Sequence, residues 1–143
     1  MAAPYIKGLW IRSPRFTIDP GEDTATNPGR YGKQLAEWLR EKLVEKGYDP
    51  EPVIAEDWGW CVMCARETNL LWVGCGNVDE NGSVEATNPP RGADIVWHCF
   101  VTVERPLFRG WFKKLDIWLA DRLYTHVQEI LTADPLIQLV EEP

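Results

Sequence analysis

The chain has 143 residues, of which 45% are hydrophobic and 26% charged, and its formal net charge at pH 7 is −7. These values are typical of a single globular domain and exclude a disordered chain. No run approaches the roughly 18 apolar residues of a membrane span, and residues 1–5 lack the basic and apolar stretches of a signal peptide. We therefore expect one domain, residues 1–143, in a reducing cytoplasm and without a membrane partner.

The surplus of acidic residues is concentrated in the middle of the chain. Residues 47–94 hold nine acidic and two basic residues, whereas the rest of the chain is balanced. An acidic segment repels nucleic acid, whose affinity for proteins comes largely from Lys and Arg bound to phosphates. The charge distribution therefore predicts no nucleic-acid partner and favours a basic protein, unless the acids only form a solvated surface.

The first part of the chain predicts a strand followed by a helix. Residues 5–12 are strand-like, and a turn-rich loop covers residues 19–24. Asn27-Pro28 has the composition of a helix start, and Gly47 that of a helix end. Between them an apolar stripe recurs at spacings of three and four residues: Tyr31, Leu35, Trp38, Leu39 and Leu43.

The middle of the chain predicts strands joined by short turns. The predicted strands are residues 51–55, 58–67, 70–76 and 94–104, with a short one at 83–86. Thr68-Asn69 separates two of them and suggests a hairpin. Strands joined in this way form antiparallel pairs.

The last part of the chain returns to a helical period. Residues 107–132 have a broad apolar face, and Asp134-Pro135 ends the predicted helix. The apolar tail at residues 136–140 is expected to dock on the domain. The order strand, helix, strands, helix predicts an α+β fold, with an antiparallel sheet of about five strands and two amphipathic helices on one face.

An acidic and aromatic motif, Glu56-Asp57-Trp58-Gly59-Trp60, is the strongest candidate for a binding site. If a strand starts at Trp58, both tryptophans share one face of the sheet. The carboxylates could then bind Arg or Lys while the indoles stack on the cation. The alternative is a strand entry with solvated acids and core tryptophans. The predicted partner-binding residues are Glu56, Asp57, Trp58, Trp60, Asp79, Glu80 and Glu85.

The cysteines and histidines predict no catalytic or metal site. Cys61, Cys64, Cys75 and Cys99 all lie in apolar, strand-like runs, which favours buried, reduced thiols. Cys61 and Cys64 would point to opposite faces of a strand, unlike a zinc or redox pair. His98 and Cys99 would also point apart, and His126 is expected to be structural. We expect no catalytic residues, no metal and no other cofactor.

These observations leave three hypotheses about function. The first is a non-enzymatic protein-binding module, such as an inhibitor or immunity protein of a basic enzyme. The second is an enzymatic or small-ligand domain with a polar pocket between sheet and helices, for which Arg66, His98 and Glu104 are the candidate residues. The third is a homo-oligomeric accessory protein that uses its apolar tail and tryptophans as an interface.

Overall fold

The computed structural model describes residues 5–78, 92–105 and 115–143. The predicted short strand at residues 83–86 and the first part of the second predicted helix, residues 107–114, lie outside the described residues. The predicted partner-binding residues Asp79, Glu80 and Glu85 lie outside them as well.

The described residues form a six-stranded antiparallel sheet. Its strands are β1 (Tyr5–Arg12), β2 (Ile54–Glu56), β3 (Gly59–Arg66), β4 (Leu70–Asn77), β5 (Trp97–Glu104) and β6 (Gln138–Val140). Their order across the sheet is β2-β3-β4-β5-β1-β6. The four consecutive strands β2 to β5 therefore form a meander, and the first strand of the chain lies between β5 and β6.

Two helices, α1 (Lys33–Glu45) and α2 (Ile117–Ala133), pack on one face of this sheet. Helix α1 contacts β3 and β4, whereas α2 contacts β1, β5 and β6. Leu35, Leu39 and Leu43 of α1 are fully buried, and so are Leu123 and Val127 of α2. The predicted α+β fold is confirmed. The sheet has six strands instead of about five because residues 138–140 of the tail pair with β1.

Helix α1 begins at Lys33, not at Pro28 as the Asn27-Pro28 motif predicts. Residues 27–30 form a turn closed by a hydrogen bond from the Arg30 amide to the Asn27 carbonyl. Gly29 and Gly32 then have φ angles of 80° and 142°, a region that favours glycine and interrupts a helix. A Cβ at Gly32 would lie 2.6 Å from the carbonyl oxygen of Cys75, so the chain also needs glycine there to approach β4.

A buried carboxylate, Glu22, takes the place of the predicted helix cap. Only 6% of this residue is exposed. One carboxylate oxygen accepts a hydrogen bond from the Asp19 amide at 2.8 Å. The other accepts from the amides of Gly32 and Lys33 and from Trp60 Nε1, each at 3.1 Å. Negative charge at a helix N-terminus is favourable, because the free amides and the helix dipole are both positive there.

The C-terminal part of the chain agrees with the sequence. Helix α2 ends at Ala133, before Asp134-Pro135, as predicted. The tail continues into β6, where Val140 is in register with Trp10. None of the described helices is long and apolar enough to cross a membrane.

We predict that Glu22→Gln lowers the free energy of unfolding by about 2–3 kcal/mol, because the uncharged amide loses charge-assisted hydrogen bonds and turns an N–H group towards other donors. Urea denaturation measures this change. The control is Glu37→Gln, which removes an exposed carboxylate from α1 and should cost less than about 0.5 kcal/mol. Equal losses in the two variants would contradict the role assigned to Glu22.

Candidate functional site

Five aromatic side chains lie together on the face of the sheet opposite α1 and α2. They are Trp10 of β1, Trp72 of β4, His98 and Phe100 of β5, and Trp58 of the β2–β3 turn. We call this set the aromatic face. Successive side chains of a strand point to opposite faces of the sheet. Cys99 and Val101, the neighbours of Phe100, belong to the buried core under the helices, so Phe100 points to the opposite face.

The rings of the aromatic face form one continuous chain of contacts. Trp10 stacks on His98 with ring centroids 4.5 Å apart and ring planes 7° apart. His98 contacts Phe100 at 5.0 Å, and Phe100 contacts Trp58 at 5.0 Å and Trp72 at 5.7 Å. Trp58 and Trp72 also stack, at 5.6 Å. All five side chains are half-buried, so each ring retains surface that a ligand can contact.

Glycines on the neighbouring strands make room for these rings. Phe100 is in register with Gly8 on one side and with Gly74 on the other. A Cβ at Gly74 would collide with the Phe100 ring, and a Cβ at Gly8 would collide with Nε2 of His98. The rings therefore occupy the space above glycine backbone, as in aromatic rescue of glycines in sheets.

Carboxylates stand at the border of the aromatic face. Glu56 and Asp57 are exposed and directly precede Trp58. Glu104 accepts a hydrogen bond of 2.6 Å from the indole Nε1 of Trp72. Burial lowers the pKa of His98. Glu142, in the tail after β6, lies close enough to this imidazole to oppose the shift in part.

The prediction that Trp58 and Trp60 share one face is wrong. Strand β3 starts at Gly59, so Trp58 belongs to the turn and folds back onto Trp72 and Phe100. Trp60 points to the helices, is 7% exposed and donates its indole N–H to Glu22. Gly59 has a φ angle of 154°, and a Cβ there would lie 2.5 Å from the Cys75 carbonyl oxygen, so the turn is built around this glycine.

Four acidic residues of the middle segment lie at the two ends of β3. Glu56 and Asp57 lie before β3, whereas Glu67 follows β3 and Glu51 binds Arg66 at its last residue. The two ends of this eight-residue strand are more than 20 Å apart. These four acids therefore do not form one surface, and of them Glu56 and Asp57 border the aromatic face.

The candidate pocket residues Arg66, His98 and Glu104 do not converge between sheet and helices. By alternation, all three belong to the face opposite the helices. Arg66 is exposed and its Nε donates to Glu51 at 2.6 Å. His98 and Glu104 are six residues apart along β5, a distance of about 20 Å. The predicted position of this pocket is therefore wrong.

The four cysteines are free and buried, as predicted. Burial raises the pKa of the Cys61 and Cys64 thiols to about 12 each. A hydrogen bond with the Cys99 thiol, together with burial, raises the pKa of Cys75 well above its usual value. A thiol with so high a pKa stays protonated at neutral pH and is a poor nucleophile. Among residues 5–78, 92–105 and 115–143, no group of three or more His, Cys, Asp or Glu side chains could hold a metal ion.

His126, the second histidine, has a structural contact. Its Nδ1 shares a hydrogen bond of 2.7 Å with the hydroxyl of Tyr48, and the two rings pack edge to face. This contact joins the segment after α1 to α2, on the side of the sheet away from the aromatic face.

Comparison of the chain with protein-family models, curated proteins and solved structures found no match. The kind of ligand that the site could bind is therefore inferred from the arrangement of its residues. Partly exposed indole and phenyl rings attract cations and flat apolar groups through their π faces, and neighbouring carboxylates add attraction for positive charge.

We predict that Gly74→Ala lowers the free energy of unfolding by about 1–3 kcal/mol, since its methyl group displaces the Phe100 ring. In a Phe100→Ala background the same change should cost little, because the ring is gone. Urea denaturation of the two single variants and the double variant measures the coupling. Costs that simply add would contradict the packing described here.

We predict that protonation of His98 destabilises the fold. Burial lowers the pKa of folded His98 below its usual value, so the unfolded chain binds a proton first as the pH falls. The free energy of unfolding should therefore decrease between about pH 7 and pH 5. His98→Phe should lose this part of the decrease, as measured by urea denaturation at pH 7.5, 6.0 and 5.0. An unchanged pH dependence in the variant would contradict the prediction.

Proposed function

We propose that the protein is a non-enzymatic binding module whose aromatic face takes a cationic segment of a protein partner. The observation that carries the proposal is the continuous layer of half-buried rings from Trp10 to Trp72, with exposed carboxylates beside Trp58. Arg and Lys side chains match both parts, because their stems are apolar and their charged groups bind π faces and carboxylates.

The negative charge of the protein favours a cationic segment over two other ligands of an aromatic sheet surface, single-stranded RNA and a second copy of this chain. Aromatic sheet faces can stack bases of single-stranded RNA. Here the net charge of −7 and the carboxylates of Glu56 and Asp57 oppose phosphate groups. A second copy of this chain carries the same negative charge, so electrostatic repulsion also disfavours self-association through this face.

Among the described residues, no Lys or Arg on this side of the sheet forms an ion pair with Glu56 or Asp57. Arg66 is paired with Glu51 at 2.6 Å. The guanidinium of Arg12 donates to the carbonyl of Asp94. Lys7 turns to the helix side, where its ammonium lies 4.1 Å from the ring centroid of Tyr124. Within the part of the chain that the structure describes, Glu56 and Asp57 therefore remain available to a positively charged ligand.

Such a module suits an inhibitor of a basic enzyme, for which an immunity protein of a toxin is one form. Opposite charges accelerate the encounter of such partners, while buried aromatic residues supply much of the affinity. A reducing cytoplasm belongs to the proposal, since the four cysteines are free thiols.

We predict that a synthetic peptide of alternating Arg and Ser binds this protein, and that the double variant Glu56→Lys/Asp57→Lys binds it about tenfold more weakly in 150 mM NaCl. Isothermal titration calorimetry measures both dissociation constants, and a peptide of alternating Glu and Ser is the negative probe. The matched control is Asp49→Lys/Glu67→Lys, which changes the net charge equally at exposed positions away from the aromatic face. Equal weakening in the two double variants would show that net charge alone acts, and would contradict the proposed site.

We further expect Trp58→Ala to weaken binding of the Arg–Ser peptide about three- to thirtyfold, because one cation–π partner is lost. Trp118→Ala is the matched control, since Trp118 of α2 is 63% exposed and does not belong to the aromatic face. Circular dichroism checks that both variants are folded. The proposal fails if the two variants bind the peptide equally well, or if unmodified protein does not bind it. Sedimentation velocity tests the alternative of self-association, and a dimer that Trp58→Ala dissociates would replace the proposal.

A further inference from the structure

We propose that His98 makes this binding site responsive to pH, so that a cationic partner is held at neutral pH and released in mildly acidic solution. The inference rests on the function proposed above and names a means of regulating the same site. Histidine is the side chain whose ordinary titration lies between pH 5 and 8. His98 is the member of the aromatic face that can acquire a charge in that range.

The position of His98 couples its charge to the rest of the aromatic face. The imidazole stacks on Trp10 at 4.5 Å and contacts Phe100 at 5.0 Å. Its Nε2 lies directly over Gly8, which leaves no room for another side chain on that side. A proton on His98 therefore places a cation inside the layer of rings that the ligand contacts.

His98 is also level with the carboxylates that attract the ligand. Glu56 pairs with Gly59, Gly59 lies against Gly76, and Gly76 pairs with His98. Glu56 and His98 are thus three strands apart at one level of the sheet, about 14 Å between backbones. Both side chains extend from this level of the sheet, and a ligand cation midway between them would lie about 7 Å from each, within one Debye length of about 8 Å at 150 mM salt.

The groups that face His98 determine the direction of the effect. Strand β1 presents the uncharged Trp10, β4 presents Gly76, and the tail presents Glu142. Arg12, two residues after Trp10 on the same face of β1, donates to the carbonyl of Asp94. Burial lowers the pKa of His98, and the nearby Glu142 carboxylate partly counteracts this because its negative charge favours the protonated imidazole. Protonation therefore adds one positive charge to the face and also engages one of the bordering carboxylates. Both changes oppose a cationic ligand.

Calorimetry with the Arg–Ser peptide at pH 7.5 and pH 5.0 tests the inference. Arg keeps its charge throughout this range, and His98→Phe retains every carboxylate of the site, so a difference between this variant and the unmodified protein reports on His98. We expect the dissociation constant of the unmodified protein to be about fivefold higher at pH 5.0. His98→Phe should reduce the change to less than about twofold, since Phe keeps an aromatic ring without a titrating group. The matched control is His126→Phe, on the other side of the sheet, which should keep the full change.

The outcomes of this experiment distinguish failure of the proposed function from failure of the role of His98. Absence of binding at pH 7.5 would overturn the proposed function itself. Binding at pH 7.5 that is unchanged at pH 5.0 would overturn only the role of His98. Loss of the pH response in His126→Phe, or its persistence in His98→Phe, would do the same. NMR titration of the two imidazoles in unmodified protein needs no variant, and a dissociation constant that rises while His98 stays neutral would also overturn the inference.

Discussion

The carboxylate of Glu22 is the contact on which the arrangement of the other elements depends. It joins three separate parts of the chain, since its donors come from the loop at Asp19, from the start of α1 and from Trp60 of β3. A buried carboxylate is costly unless donors surround it, and here four N–H groups do so. The contact fixes the start of α1 beside β3, and the apolar stripe of α1 then covers the helix side of the sheet and leaves the opposite side to the aromatic face.

The two faces of the sheet are built by different means. On the helix side, aliphatic residues such as Val73 and Val101 pack against α1 and α2. On the other side, Gly8 and Gly74 have no side chains, and Phe100 and His98 lie over the backbone at these positions. The rings thus cover the sheet themselves, which explains how Cys61 can be buried on that side. The same layer presents π surface to solvent, so packing and the proposed binding use one set of residues.

The sequence predicted the elements better than the contacts between them. Periodicity in residues 31–43 and before Asp134-Pro135 identified both helices, because an apolar stripe records which face is buried. The helix start predicted at Asn27-Pro28 was wrong, because capping preferences describe only neighbouring residues. The carboxylate at the actual start of α1 comes from Glu22, which tertiary structure brings there. The sequence did not predict the aromatic face. Trp72, Gly74 and Gly76 do alternate on one face of β4, but their pairing with Phe100 and His98 depends on strand register, which the sequence alone does not give.

The position of β1 has a consequence for synthesis of the chain on the ribosome. Both neighbours of this strand, β5 and β6, are translated more than 80 residues after it. The meander from β2 to β5 contains mostly local pairings and can form first, whereas β1 must remain unpaired until β5 emerges. The exposed side chain of Ile6 and the neighbouring strand edge are therefore vulnerable to aggregation during this interval, and closure of the sheet by β1 becomes a late step of folding.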